Sequence, residues 1–195
     1  MMNEQDRLEI ARLWQRKLDQ DAKALPQSDR HRNLEPDSAE FIHTLACGIR
    51  ARMQLEIGGS SGLSTIALAS AARETKGKLT SIEIEPNRQQ ESRSTIEQLG
   101  LSSFVDFVLG DAAKILPSLE PMDFVLIDCE KDDYIRFFDM LKLESGAIVV
   151  ADNILSHSLT DYVSHVRSHH LESITLPVGK GLELSRVVQS KSGTQ

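Results

Sequence analysis

The stretch from Leu55 to Leu68, Leu-Glu-Ile-Gly-Gly-Ser-Ser-Gly-Leu-Ser-Thr-Ile-Ala-Leu, constrains this chain more than any other. An apolar run carrying one acid, Gln54 to Ile57, enters Gly58 to Gly62 and leaves through the helix-like segment Leu63 to Ala72. Apolar periodicity and glycine punctuation make this a strand, a tight loop and a helix. Small residues at Gly58, Ser60 and Gly62 let a ligand lie against the backbone. The free N–H groups at the start of the next helix favour anionic or oxygen-rich groups. A dinucleotide fingerprint starting at Gly58 needs glycine where Ser60 and Leu63 stand, and a phosphate loop needs Gly-Lys-Ser/Thr in place of Leu63-Ser64-Thr65. Both fail, leaving acid-x-Gly-x-x-x-Gly. Such turns also close ordinary strand–helix junctions, so the rest of the chain must decide.

A chain of 195 residues suits one domain with a sizeable core. We expect an N-terminal helix and linker over 1–36, the main domain over 37–189 and a tail over 190–195. The net charge of −7, with no compensating lysine/arginine cluster, argues against nucleic acid as a partner. The start, Met-Met-Asn-Glu-Gln-Asp-Arg, lacks the apolar core of a secretory signal, and no apolar run approaches the ~20 residues that cross a bilayer. Cys47 and Cys129 have no Cys-x-x-Cys spacing and are too few for a disulfide framework. A cytoplasmic, reducing location without membrane contact is the expectation.

In chain order, Glu4 to Leu25 reads as an amphipathic helix ended by Pro26. It can cap the domain, cover a substrate or pair with another subunit, and capping is the default. Gln27 to Pro36 is a polar linker with Arg30, His31 and Arg32 clustered, and Asp37 to Arg50 is a second helix. Lys78 to Ile84 is a strand ending in Ile82-Glu83-Ile84-Glu85-Pro86, followed by a helix over Asn87 to Leu99. Glu83 lies about 20 residues beyond the glycine turn, where an acid can accept hydrogen bonds from two ribose hydroxyls. Its alternative is a solvated strand-end charge, and the turn before it favours the ribose.

Phe104 to Leu109 is a third strand, followed by Gly110-Asp111-Ala112 and a short helix ended near Pro117. Asp111 can hydrogen-bond an adenine amino group or cap that helix. Asp123 to Ile127 and Gly146 to Ala151 are apolar strands that end in Asp128 and in Asp152-Asn153. Continuous apolar strands bounded by helices predict a parallel sheet covered on both faces, with ligands outside the strands' carboxyl ends. If these two strands are neighbours their ends lie about 4.8 Å apart, so Asp128, Asp152 and Asn153 can share one hard cation, magnesium or calcium. Ser156 to His170 reads as a helix. His165 and His169 have the i, i+4 spacing of a metal pair, but the Glu of His-Glu-x-x-His is missing and a solvated face is the simpler reading. Glu172 to Leu176 and Leu182 to Val188 form a closing hairpin.

From Leu55 to Val188 the chain resembles the cation-dependent O-methyltransferases, the class I S-adenosylmethionine-dependent group that contains the catechol and caffeoyl-coenzyme A enzymes. Leu-Glu-Ile-Gly at 55–58, Ile-Glu-Ile-Glu-Pro at 82–86, Asp-x-x-Lys-x-x-Tyr at 128–134, Ala-Asp-Asn at 151–153 and Gly-Leu-Glu at 181–183 stand in the family's order. Asp-Tyr-Val-Ser-His-Val-Arg at 161–167 resembles the catechol enzyme's segment there. The resemblance implies an α/β, Rossmann-like, doubly wound fold: a mostly parallel seven-stranded sheet with an antiparallel last strand and helices on both faces. It further implies methyl transfer from S-adenosylmethionine to a hydroxyl of a catechol-like small molecule, assisted by Mg2+.

By that resemblance Glu56, Gly58, Ser60, Gly62, Ser64, Glu83, Gly110, Asp111, Ala112 and Asp128 hold the methyl donor. Asp128, Asp152 and Asn153 hold the metal, Lys131 is the general base, and Lys131, Asn153 and Glu183 meet the substrate, with Glu183 orienting its second hydroxyl. A homodimer is also implied. Leu63, Cys129-Glu130 and Lys180 depart from the family pattern, which touches the substrate wall and leaves the donor assignment intact. The competing readings are a metal-independent methyltransferase and a catalytically silent cofactor-binding protein. A nicotinamide oxidoreductase is weaker, since neither Tyr134 nor Tyr162 has a lysine four residues on.

Overall fold

The computed structural model describes residues 2–26, 30–169 and 171–188; the expected tail lies outside the described residues. Two helices, α1 (Glu4–Ala22) and α2 (Pro36–Gly48), precede a regular alternation. Its first half is β1 (Met53–Ile57), α3 (Leu63–Thr75), β2 (Lys78–Glu83), α4 (Pro86–Gln98), β3 (Val105–Leu109) and α5 (Ala112–Ile115). Its second half is β4 (Met122–Ile127), α6 (Tyr134–Asp139), β5 (Leu143–Ala151), α7 (Thr160–Ser168), β6 (Leu171–Leu176) and β7 (Leu182–Val187).

The strands form one seven-stranded sheet in the order β3-β2-β1-β4-β5-β7-β6. Strands β1 to β5 pair in parallel, whereas β7 runs antiparallel to both β5 and β6. This is the doubly wound α/β architecture with an antiparallel last strand that the resemblance implies. The winding reverses between β1 and β4, which opens a crevice at their carboxyl ends.

Side chains alternate between the two faces of a strand, so a strand covered on both sides is apolar throughout. Along β4, Phe124 and Leu126 join the core under α1 to α4, and Val125 and Ile127 join the core under α5 to α7. The first helix is tied down by Asp6, which is fully buried. Its Oδ2 accepts from the Asn3 backbone N–H (3.1 Å), Ser70 Oγ (3.0 Å) and Arg73 Nη2 (2.8 Å). Helix α1 therefore packs on α3, in agreement with the capping reading of its apolar face.

Two local expectations need correction. The last helix starts at Thr160 rather than Ser156, because Ser158 (φ 50°) takes a left-handed conformation that no right-handed helix contains. Helix α6 was not anticipated. It is six residues long, too short to show a helical period, and turns Tyr134, Phe137 and Phe138 into the core. Among the described residues no helix is long and apolar enough to cross a membrane.

Candidate active site

The end of β1 is pressed against the end of β4. A side chain at Gly58 (φ 97°) would bring its Cβ within 2.2 Å of the Asp128 carbonyl oxygen, and Asp128 N–H donates to the Ile57 carbonyl at 3.0 Å. Gly62 (φ 103°) meets α4 in the same way, with a Cβ there falling 2.7 Å from Ser92 Oγ. The glycines thus serve close backbone approach as well as ligand access. Glu56 is fully buried behind the turn, where its Oε2 accepts from Thr65 Oγ1 (2.7 Å) and Ser81 Oγ (2.6 Å). Burial pushes its carboxyl up, and the hydroxyls of Ser64, Ser81 and Thr65 work against that shift. Glu56, Gly62 and Ser64 therefore hold the turn's shape from behind and do not line the cavity in front of it.

That cavity measures about 610 Å3, within the size range of small-molecule sites. On its β1–β3 side stand Gly58, Ser60, Glu83, Gly110, Asp111 and Ala112. Glu83 is held by backbone donors: Ser60 N–H reaches Oε2 at 2.7 Å, while Ile84 and Glu85 N–H reach Oε1 at 2.9 Å each. Oε1 has both acceptor sites taken, while Oε2 keeps capacity for a further donor. Ser60 Oγ is buried without a partner, so a hydroxyl aimed at the turn is left for a ligand to satisfy. Asp111 Oδ1 accepts from Ala113 N–H at 2.9 Å, so this residue caps α5 and lines the cavity at once.

On the β4–β5 side the two apolar strands are neighbours, and the acids at their ends converge. Asn153 Nδ2 donates to Asp128 Oδ1 at 2.9 Å and to Asp152 Oδ2 at 2.8 Å. Asp152 Oδ1 is buried with no partner. Burial, and next the like charge of Asp128, push the Asp152 carboxyl up to about 8. Burial also raises Asp128, against the pull of Lys131. Two desolvated carboxylates, one orphaned oxygen and an amide that can turn its own oxygen inward fit a hard divalent cation.

Lys131 Nζ donates to Asp128 Oδ1 (3.2 Å), the Cys129 carbonyl (3.1 Å) and Tyr134 Oη (2.7 Å), and Tyr134 in turn donates to the Asp152 carbonyl at 3.2 Å. Helix α6 thereby fixes the lysine beside the acids through its first residue. Burial followed by the charge of Asp128 holds the Tyr134 hydroxyl well above its ordinary range, so it stays a donor. Burial likewise raises the Cys129 thiol.

Glu183 does not join this group. It is fully buried opposite Ala151, bound by Arg167 Nε (3.0 Å) and by the hydroxyls of Ser173 and Thr175, and it does not line the cavity. The expectation that it orients a substrate hydroxyl is corrected accordingly: the register of β7 commits its carboxylate to α7 and β6.

Sequence reasoning also missed part of the wall. Arg30, His31, Arg32 and Asn33, read as a linker, line the cavity, as do Lys17 of α1, Phe137 and Lys180. Asn33 Oδ1 accepts from Ser61 Oγ at 2.8 Å, His31 Nε2 lies 3.1 Å from Glu91, Arg32 pairs with Glu130, and Lys180 pairs with Glu35 at 2.8 Å. The basic run 30–32 in an acidic chain was the one available signal.

Against known proteins, residues 16–187 match the family described as O-methyltransferase. Catechol O-methyltransferase of Mycobacterium tuberculosis is 34% identical over 120 residues, covering 60% of this chain and 54% of that enzyme. Catechol O-methyltransferase of Niastella koreensis is 33% identical over 130 residues, covering 63% and 58%. The chain thus matches little more than half the length of these two relatives. Caffeoyl-CoA O-methyltransferase of Eucalyptus gunnii is 27% identical over 182 residues, covering 78% and 73%. Among solved structures, the cofactor-bound Rv0187 from MTB superposes with a TM-score of 0.79 at 25% identity, covering 93% of this chain and 90% of that one. With the family matched across most of its length, this chain belongs to the O-methyltransferase family.

Proposed function

We propose that this protein transfers a methyl group from S-adenosylmethionine to a hydroxyl of a vicinal dihydroxy aromatic small molecule, with a divalent cation, Mg2+, held by Asp128, Asp152 and Asn153. The carrying observation is that Asp128, Asn153 and Lys131 line the same cavity as Glu83 and Asp111, with Asp152 buried directly behind and bonded to Asn153. The relatives, which include catechol O-methyltransferases and a cofactor-bound structure, support the reading.

In this proposal Glu83 Oε2 accepts a hydrogen bond from a ribose hydroxyl of the donor, Ser60 supplies the orphaned hydroxyl at the turn, and Asp111 borders the adenine. A phenol ionises near pH 10 and is a poor nucleophile at neutral pH. When bound, the cation supplies Lewis-acid activation and a fixed position for two adjacent oxygens. Lys131 takes the hydroxyl proton at Nζ, which requires it to give up one of the protons it now directs at Asp128, Cys129 and Tyr134. Tyr134 keeps the amine aimed during that exchange. Most of the remaining rate gain comes from holding acceptor and methyl donor in near-attack geometry. Glu183 has no part in this scheme.

The test is transfer of labelled methyl from S-adenosylmethionine to a panel of catechols and their monohydroxy analogues, with Mg2+ or with chelator. Transfer restricted to vicinal diols and abolished by chelator is expected. Transfer that survives the chelator favours the metal-independent enzyme, and donor binding without transfer to any diol favours the silent cofactor-binding protein.

A further inference from the structure

Helix α7 lies across the end of α6, and this brings Asp139, His165 and His169 together. Asp139 Oδ1 is 2.6 Å from His165 Nε2 and 4.0 Å from His169 Nε2, and one ligand atom from each of the three residues lies within 4.8 Å of the others. The two imidazole rings are 4.7 Å apart between centroids. His169 Nδ1 is 2.9 Å from the His165 carbonyl oxygen. An Nδ1–H donating there leaves the Nε2 lone pair free on the side of Asp139, which is how metal-bound histidines are usually oriented. Phe138 packs edge-on against both rings, at 6.0 and 5.6 Å, and limits their rotation. None of the three side chains is fully buried, so water reaches the cluster.

We propose that Asp139, His165 and His169 form a zinc site on the α6–α7 face, distinct from the oxygen-ligand set in the cavity. Two imidazoles and one carboxylate suit zinc in a tetrahedral arrangement with water as the fourth ligand, and they do not suit magnesium. Ligands about 2.0–2.2 Å from a tetrahedral ion lie roughly 3.4 Å from one another. The separations of 2.6 and 4.0 Å from Asp139 bracket that spacing and all three ligand atoms lie within 4.8 Å of one another, so shifts of roughly 1–1.5 Å complete the site. The ion replaces the His165–Asp139 hydrogen bond and clips α7 to the far end of the helix whose first residue, Tyr134, holds Lys131. Neither the spacing of the histidines nor the family match depends on Asp139. Only packing brings that carboxylate to them.

The experiment is calorimetric titration of the chelator-stripped full chain with Zn2+ at a fixed pH of about 7.5, since metal affinity depends on pH. Excess Mg2+ is kept present to occupy the cavity set, and absorption of the Co2+-substituted protein reports coordination. One equivalent of Zn2+ and a tetrahedral Co2+ spectrum are expected. Asp139→Asn and His169→Gln should each weaken Zn2+ at least about tenfold, whereas Asp128→Asn should leave it unchanged. Melting curves without metal, matching wild type, verify that the variants fold. The proposal is overturned if the wild-type chain takes up no Zn2+ under these conditions. It is overturned equally if the Asp139→Asn/His169→Gln double variant binds as the wild type does, or if only Asp128→Asn removes binding.

Discussion

The two sides of the cavity both present carboxylates at strand ends, and they satisfy them in opposite ways. On the β1–β3 side the Glu83 oxygens are occupied by three backbone N–H groups, and Glu56 behind them has Oε2 met by two hydroxyls and Oε1 buried without a partner. On the β4–β5 side Asp128 and Asp152 share one amide, only Asp128 has a lysine, and one Asp152 oxygen has nothing. A carboxylate fixed by backbone donors is already organised to receive neutral hydroxyls. Two acids facing each other with too few donors call for a cation, because burial without compensation favours their neutral forms. Under the proposed function, similar residues at equivalent strand ends would serve recognition on one side and metal chemistry on the other.

The sharpest break between the two sides is Lys131→Ala. Turnover should fall about 10²–10⁴-fold while affinity for S-adenosylmethionine stays within about twofold, as read by steady-state kinetics and donor titration. A parallel loss of both would mean that the two sides are not separate. Gly58→Ala strikes the seam itself. Strain at positive φ and the 2.2 Å approach to Asp128 should cost roughly 2–5 kcal/mol in denaturant unfolding. An unchanged midpoint would show that the strand ends can part.

The third prediction concerns pH in the cation-free protein. The Asp152 carboxyl is raised in the fold to about 8 from an ordinary value near 4. Its stabilising contribution is therefore complete below about pH 4 and is lost as pH rises through about 8. Between pH 5 and 7 this amounts to roughly 1 kcal/mol per pH unit, or a few degrees in melting temperature. Asp152→Asn should flatten the slope, and a slope equal to wild type in that variant would remove the like-charge account. The smallest effect is expected for Glu83→Gln, which should weaken donor binding about fivefold and leave divalent-cation affinity unchanged by calorimetry. A loss of cation affinity there would merge the two sides.

Much of this molecule was legible from local pattern. The glycine turn, the alternation of strands with helices and the acids at the ends of β4 and β5 are short-range features, written by apolar periodicity and by residues with special backbone freedom. The placement of Asp128 beside Asp152 and Asn153 needed only the further condition that two apolar strands be neighbours. Other assignments depended on which way a side chain pointed. Glu56 and Ser64 belong to the same motif as Gly58 and Ser60, yet the first two face the back of the turn and the latter two face the cavity. Glu183 sits in a motif that matches the family, but the pairing of β7 with β5 and β6 turns its carboxylate toward Arg167, Ser173 and Thr175.

By itself, then, the sequence determined a parallel sheet covered on both faces by helices, the position of the nucleotide-type turn and the acids at the ends of β4 and β5, because each rests on contacts or periodicities within a few residues, while the doubly wound class came from the family resemblance. Tertiary structure alone decided that residues 30–33 wall the cavity, that Lys180 pairs with Glu35, and that Asp139 meets His165 and His169. Those outcomes join segments far apart in the chain. Sheet order, helix packing and the one-residue alternation of strand faces fix them, and a single sequence carries no local record of any of the three.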